Sequence, residues 1–234
     1  MFHLSKWYLD CVAEDGRVFV AYSARMRWHA LTLNYASVLG GRSSLKRCRA
    51  PERSGDHVVW SAPELGVEGT WQAIEAPVSR TLYDTDGTVE WNCCQPRAHA
   101  EVRVGGECLR GMGYVERLTM TVPPWRLPID ELHWGRLLTT AGSLVWIDWR
   151  GPHSRQVILR NGVEAEPELL ERLELDHGLV LREGALGKTA LAIVPQVERL
   201  FPWRILHVQE TKWRSRGWLD GVSGWAIHEV VRWP

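Results

Sequence analysis

The feature that most limits how this chain folds is a two-residue turn signal that keeps returning. Asp15-Gly16, Gly40-Gly41, Asp86-Gly87, Gly105-Gly106, Asn161-Gly162 and Asp220-Gly221 punctuate it, and the stretches between them are rich in Val, Ile, Leu, Trp and Tyr. Such pairs supply the positive-φ residues that a tight hairpin needs. The β-branched and aromatic residues on either side suit pleated strands. Alternation is visible from Arg17 to Tyr22, Glu101 to Val104 and Leu144 to Trp149. The expected fold class is therefore all-β. One segment, EPELLERLEL around Pro167, admits a helix, because Pro suits a first helical turn. Leu173, Leu175, Leu179 and Leu181 also alternate there, so we read the region as a hairpin turning at Asp176 to Gly178.

A weak internal repeat organises the strands. Lys6-Trp7 opens a strand that leads through Asp15-Gly16 to Trp28, and Trp134-Gly135-Arg136 opens another that leads through Ala141-Gly142 to Trp149. The halves also close alike, on Gly113-Tyr114-Val115-Glu116 and on Gly224-Trp225-Ala226-Ile227-His228-Glu229. Between them lies TVPPWRLP, residues 121–128, whose prolines remove backbone donors and resist both helix and central strand. The expected division is residues 1–120, a Pro-rich linker over 121–132, and residues 133–234.

Composition excludes several functions. The 28 basic residues balance the 28 acidic ones, which argues against a nucleic-acid partner. We read the basic runs at Arg42–Arg49 and Lys212–Arg216 as solvated loops. No apolar stretch reaches the ~18 residues of a membrane span, so no stable membrane insertion is expected. The five cysteines show no C-x-x-C spacing and no disulfide framework, and the opening MFHLSKWYLDC has no apolar run of the kind expected in a signal peptide. The expected location is cytoplasmic. Cys93, Cys94, His99 and Cys108 fit no zinc pattern. Gly111 and Gly113 make no dinucleotide fingerprint and read instead as freedom for a tight turn into the Tyr114 strand. No metal and no cofactor are expected. The sequence sets no oligomeric state. Trp outnumbers Phe by 14 to 3, a store of rings that either line a cavity or fill barrel ends.

The candidate site lies in WNCCQPRAHAEVRVGGECLRGMGYVE, from Trp91 to Glu116. Tyr114 and Glu116 are two apart, so on a strand they share a face, with Trp91 available to close over them. An acid among aromatics can protonate an apolar substrate, and the rings can steady the resulting cation. The same Glu can instead be structural, accepting bonds from Trp N–H groups or pairing with Arg136. Glu75 and Glu90 are further carboxyls near Trp71 and Trp91. His228 and Glu229 mirror the first site at the end of the second half.

Trp91, Pro96, Ala98, Ala100, Gly111, Gly113, Tyr114 and Glu116 together resemble the pattern of the carotenoid 1,2-hydratases (hydroxyneurosporene synthases) and their AttH-like relatives, which include fungal Diels-Alderases. Where that family has an Asp, this chain has Glu116, and Leu118 stands where the family often has Asn. Trp134-Gly135-Arg136 resembles the Trp-x-Arg stretch that follows the family's linker. The resemblance implies two tandem lipocalin-like β-barrel or sandwich units with a ligand cavity at or near their interface. It also implies catalytic roles for Trp91, Tyr114 and Glu116. Substrate-binding roles are expected for Trp134, Arg136, Asp148 and Trp149; Arg136 is a forked anchor or a structural plug, and Asp148 faces a cavity or solvent. The expected partner is a hydrophobic small-molecule substrate, polyene or terpenoid-like, taken through acid-initiated hydration, cyclisation or isomerisation, or folded for pericyclic cyclisation. A non-catalytic carrier and a Trp-filled interaction module are the rival readings.

Overall fold

The computed structural model describes residues 1–176 and 178–234. The chain divides into two compact units, Met1–Pro123 and Pro124–Pro234. The first holds β1 (Phe2–Val12), β2 (Val18–Trp28), β3 (Leu31–Val38), β4 (Ser43–Ser44), β5 (Glu52–Ser54), β6 (His57–Ala62), β7 (Val67–Ala73), β8 (Val78–Tyr83), β9 (Val89–Val104) and β10 (Glu107–Met120). The second holds β11 (Glu131–Thr139), β12 (Ser143–Arg150), β13 (Arg155–Arg160), β14 (Val163–Glu164), β15 (Leu173–Leu175), β16 (Leu179–Ala185), β17 (Gln209–Leu219) and β18 (Val222–Arg232). Each unit is one curled half-barrel sheet, as in a lipocalin-like fold.

Both sheets are built on the same plan. Among the described residues, the first runs β4-β3-β2-β1-β10-β9-β7-β6-β5 with β8 also on β9, and the second runs β14-β13-β12-β11-β18-β17-β15 with β16 also on β17. In each, the opening hairpin pairs with the closing strand: β3-β2-β1-β10-β9 corresponds to β13-β12-β11-β18-β17. The turn chemistry explains the joints. Asn161 and Gly162 link β13 to β14, and Asp220 and Gly221 link β17 to β18, each pair with positive φ at both positions, as a twisted two-residue hairpin requires.

Three expectations are corrected. Leu173–Leu175 and Leu179–Ala185 do not form a hairpin with each other: both pair with β17, Leu173 opposite Leu219 and Leu179 opposite Arg214. (The tip of that expected turn, His177, lies outside the described residues.) Pro167–Arg172 just before them is a 3-10 helix, with Pro in its first turn. Short helices at Val197–Leu200 and Trp203–Leu206 had no signal in the turn pattern; each is a single turn, too short to show helical periodicity.

Gly111 and Gly113 are the third correction. They lie inside β10, past the Gly105-Gly106 turn, and neither has a positive φ. They are small because another backbone passes close by. A Cβ on Gly113 would lie 2.7 Å from the Asp10 carbonyl oxygen and 2.7 Å from Trp71 Cδ1; one on Gly111 would lie 2.1 Å from the Val12 carbonyl oxygen. Trp71 Nε1 uses that close approach to donate to the Asp10 carbonyl at 2.7 Å. Gly113→Ala is therefore expected to destabilise the protein by about 1–3 kcal/mol through overpacking, seen as a lower urea midpoint with an unchanged slope.

The first unit's core follows from strand alternation. On β1, Trp7, Leu9 and Cys11 point inward with Phe19, Ala21, Trp60, Trp71, Ala100, Val102 and Val115. The opposite face of β1 carries Tyr8 and Asp10, and these are buried too, at 2% and 0% exposure. That second buried face positions the candidate site.

Candidate functional site

Three neighbouring strands of the first sheet each present two side chains on the face away from the barrel core. β1 supplies Tyr8 and Asp10, β10 supplies Tyr114 and Glu116, and β9 supplies Trp91 and Cys93. The register interleaves them: Tyr8 lies opposite Glu116, Asp10 opposite Tyr114, and Cys93 opposite Glu116 on the other side. Opposite Gly113 to Glu116 the register shifts twice, with the extra residues on β9 between Cys93 and Ala98, and bulges of this kind re-aim side chains.

The sequence-predicted trio is in contact. Trp91 Nε1 donates to Glu116 Oε2 at 2.6 Å, and the Tyr114 hydroxyl donates to the same oxygen at 2.7 Å. Trp91 and Tyr114 are buried, while Glu116 is half-buried. Burial, followed by the neighbouring Cys93 and Glu116, raises the Tyr114 pKa well above that of an ordinary phenol, so the hydroxyl remains a donor. Burial likewise pushes the Cys93 thiol well up, so it is no nucleophile at neutral pH.

Tyr8, Asp10 and Cys93 extend the site beyond what sequence reasoning selected. The Tyr8 hydroxyl donates to Asp10 Oδ2 at 3.0 Å, and its ring meets Tyr114 edge-on at 6.0 Å and Tyr22 at 5.5 Å. Tyr8-x-Asp10 repeats the Tyr114-x-Glu116 arrangement one strand over, so the spacing that found the second pair was also present in β1. Glu75 makes an ion pair with Arg97 at 3.6 Å, and both Glu90 carboxylate oxygens accept from the Thr81 hydroxyl at 3.0 Å.

The four residues expected to bind substrate lie in the second unit, and alternation separates them. Trp134, Arg136 and Trp149 share the face away from the cluster formed by Leu137, Leu144 and Trp146. Arg136 is fully buried and donates to the Trp225 carbonyl at 2.7 Å. Trp149 donates to the Pro128 carbonyl at 3.4 Å. Asp148 projects from the opposite face, where it pairs with Arg150, which in turn reaches Glu131 at 3.1 Å.

By the shared sheet plan, Trp134 and Glu229 occupy the positions of Tyr8 and Glu116. The second unit fills that place with charge. Lys212 pairs with Glu229 and lies 4.8 Å from the Trp134 ring centre, and Arg182 donates to Glu210 at 3.0 Å. Nearby, His228 stacks on Trp213 at 5.1 Å, with Nε2 3.0 Å from the Ser215 hydroxyl. Burial, then the Lys212 charge, holds its pKa down to about 4, against the opposing pull of Asp176 and Glu229. At neutral pH it is uncharged. The unfolded chain takes up this proton near pH 6.5 but the folded one only near 4, so the associated stability is complete above pH 6.5 and is lost as pH falls toward 4. We expect that loss to be on the order of 2 kcal/mol after solvent screening. Urea unfolding at pH 7 and 4.5 checks it, with His228→Gln flattening the difference.

No protein-family model matches the chain, and no curated protein matches it in sequence. Solved structures share its fold. A crystal structure of CghA aligns with a TM-score of 0.51 at 12% identity, over 98% of this chain and 88% of that one. CghA with Sch210972 aligns at 0.49 and 12% identity over the same shares. Kievitone hydratase from Nectria haematococca aligns at 0.45 and 11% identity, over 99% of this chain and 88% of that one. The CghA likeness spans both units, and the lipocalin-like fold implied by the Trp91–Glu116 resemblance is the fold observed.

Proposed function

We propose that this protein is a cofactor-independent enzyme that adds or moves a proton on an apolar, polyene- or terpenoid-like small molecule, in a hydration, cyclisation or isomerisation. The observation that carries the reading is the convergence of Trp91 Nε1 and the Tyr114 hydroxyl on one oxygen of Glu116. When the Glu116 carboxyl gives its proton to a substrate carbon, negative charge develops on a group that two fixed donors already face, and no solvent must reorganise to meet it. The cation left on the substrate is met by the rings of Trp91 and Tyr114, a contact worth ~2 kcal/mol when desolvated. In a hydration, water then adds to the cation and returns a proton to the Glu116 carboxylate. In a cyclisation, a neighbouring double bond attacks the cation instead, and the new cation loses a proton from an adjacent carbon to the Glu116 carboxylate. The resemblance of the Trp91–Glu116 pattern to the hydratases supports the same roles.

The test begins with organic extraction and mass spectrometry of whatever co-purifies with the protein. That compound is then incubated with fresh protein in D2O. Incorporation of solvent deuterium at carbon, with or without added water, supports proton transfer. A compound recovered unlabelled and unchanged identifies a carrier instead.

A further inference from the structure

The barrel side of the first sheet changes character along its length. On β2 the inward positions read Phe19, Ala21, Ser23, Arg25, Arg27, and on β1 they read Cys11, Leu9, Trp7, Ser5, His3. One end is an apolar core; the other opens into a cavity of about 730 Å³. Arg25, Arg27, Lys46, Arg47, Arg49 and Arg117 line it, and among the described residues no Asp or Glu does. The cations come from β2, from the segment between β4 and β5, and from β10, so the fold assembles them from separate stretches of sequence. The basic run read as a solvated loop is thus the wall of a pocket.

The balance of charge there is unlike the rest of the unit. Elsewhere, three exposed arginines of the unit have carboxylate partners, Arg17 with Asp15 and Arg103 and Arg110 with Glu101, while Arg53 donates to the Gly55 carbonyl. Among the described residues, Arg49 is the one cation of the cavity with such a partner, Glu52. Arg117 donates to the Ser5 hydroxyl at 3.1 Å and lies 5.6 Å from the Trp7 ring centre, on the cavity floor. Because the whole chain is neutral, this clustering does not follow from a basic composition. Like charges gathered in a concave, low-dielectric wall focus a positive potential, and arginine forks match carboxylate, sulfonate and phosphate oxygens. The volume lies within the ~300–1,000 Å³ range of small-molecule sites.

We propose that this mouth is a second binding site, taking an anionic organic molecule whose acid group sits among Arg25, Arg27 and Arg47 and whose apolar body rests on Trp7. It is separate from the Glu116 cluster, which lies on the other face of the sheet, and does not depend on the function proposed for that cluster.

Two fluorescent probes with the same rings test it: 8-anilino-1-naphthalenesulfonate, which is anionic, and N-phenyl-1-naphthylamine, which is neutral. Arg25→Gln/Arg27→Gln and, separately, Arg47→Gln alter exposed side chains, and Arg155→Gln on β13 serves as a control. The sulfonate is expected to bind one per chain, to weaken at least tenfold in the double variant and several-fold in R47Q, and to be unaffected in R155Q. It should also weaken as salt is raised, and the neutral probe should bind at least tenfold less tightly. Absence of sulfonate binding, affinity unchanged in the double variant and R47Q, or equal binding of the two probes would each overturn the proposal.

Discussion

Glu116→Gln is expected to lower turnover by a factor of at least about one hundred, while leaving the fold and the affinity for substrate nearly unchanged. Gln keeps the length and planarity of Glu, and its carbonyl oxygen can still accept from Trp91 Nε1 and the Tyr114 hydroxyl, which now meet at Glu116 Oε2. It cannot deliver a proton, and positioned general acid–base groups contribute roughly 10²–10⁴ in rate. Glu116→Asp keeps the proton and withdraws it by about 1 Å, a displacement that costs on the order of a hundredfold when geometry is tight. Tyr114→Phe removes one of the two donors and is expected to lower kcat by roughly 10²–10³, as for other preorganised donors. Single-turnover kinetics on the extracted compound separate these effects from product release. Full activity in E116Q, with loss only when the aromatic walls are cut back, would instead assign the site the role of folding the substrate for a pericyclic closure, with Glu116 as a brace for Trp91.

What the sequence disclosed is local chemistry. Turn pairs and period-two alternation announced the strands, because φ > 0 at Asn161-Gly162 and Asp220-Gly221 is a property of two residues. Tyr114 and Glu116 were found because residues two apart on a strand share a face wherever the strand lies. Tyr8 and Asp10 obey the same rule but carried no pattern to draw attention to them, and only the pairing of β1 with β10 sets them beside the first pair. Gly111 and Gly113 were misread for a related reason. A glycine that frees a turn and one that admits a neighbouring backbone look alike until the neighbour, here β1, is in place. The basic mouth was hidden because its arginines come from three separate stretches. Asp148 shows alternation acting against a sequence cluster: it adjoins Trp149 in the chain but leaves from the other face of β12.

Lys212→Met is expected to cost about 3–5 kcal/mol of stability, the typical penalty for breaking a buried ion pair from one side. Lys212 has a side-chain exposure of 1% and pairs with Glu229, whose exposure is 16%. Its ammonium also faces the Trp134 ring. Beside the pair, burial, followed by the charge of Glu229, raises the pKa of Glu210, which Arg182 offsets. Removing Lys212 would leave two carboxylates sharing the remaining cations. Methionine retains most of the lysine stem, so the loss is chiefly electrostatic and not a cavity. Against a total of ~5–15 kcal/mol for a typical domain, such a loss leaves the second unit partly unfolded. Two measurements distinguish this account from simple misfit. First, Lys212→Met/Glu229→Gln should recover most of the lost stability in urea unfolding at pH 7, because it removes the stranded charge; a packing defect would not be rescued. Second, the single variant should gain stability relative to the unsubstituted protein as pH falls from 7 toward 5. A carboxyl stranded beside another has its folded pKa raised above the unfolded value, so the folded state takes up the proton first. A cost below about 1 kcal/mol, or no recovery in the double variant, would mean that the pair only breaks even against its desolvation.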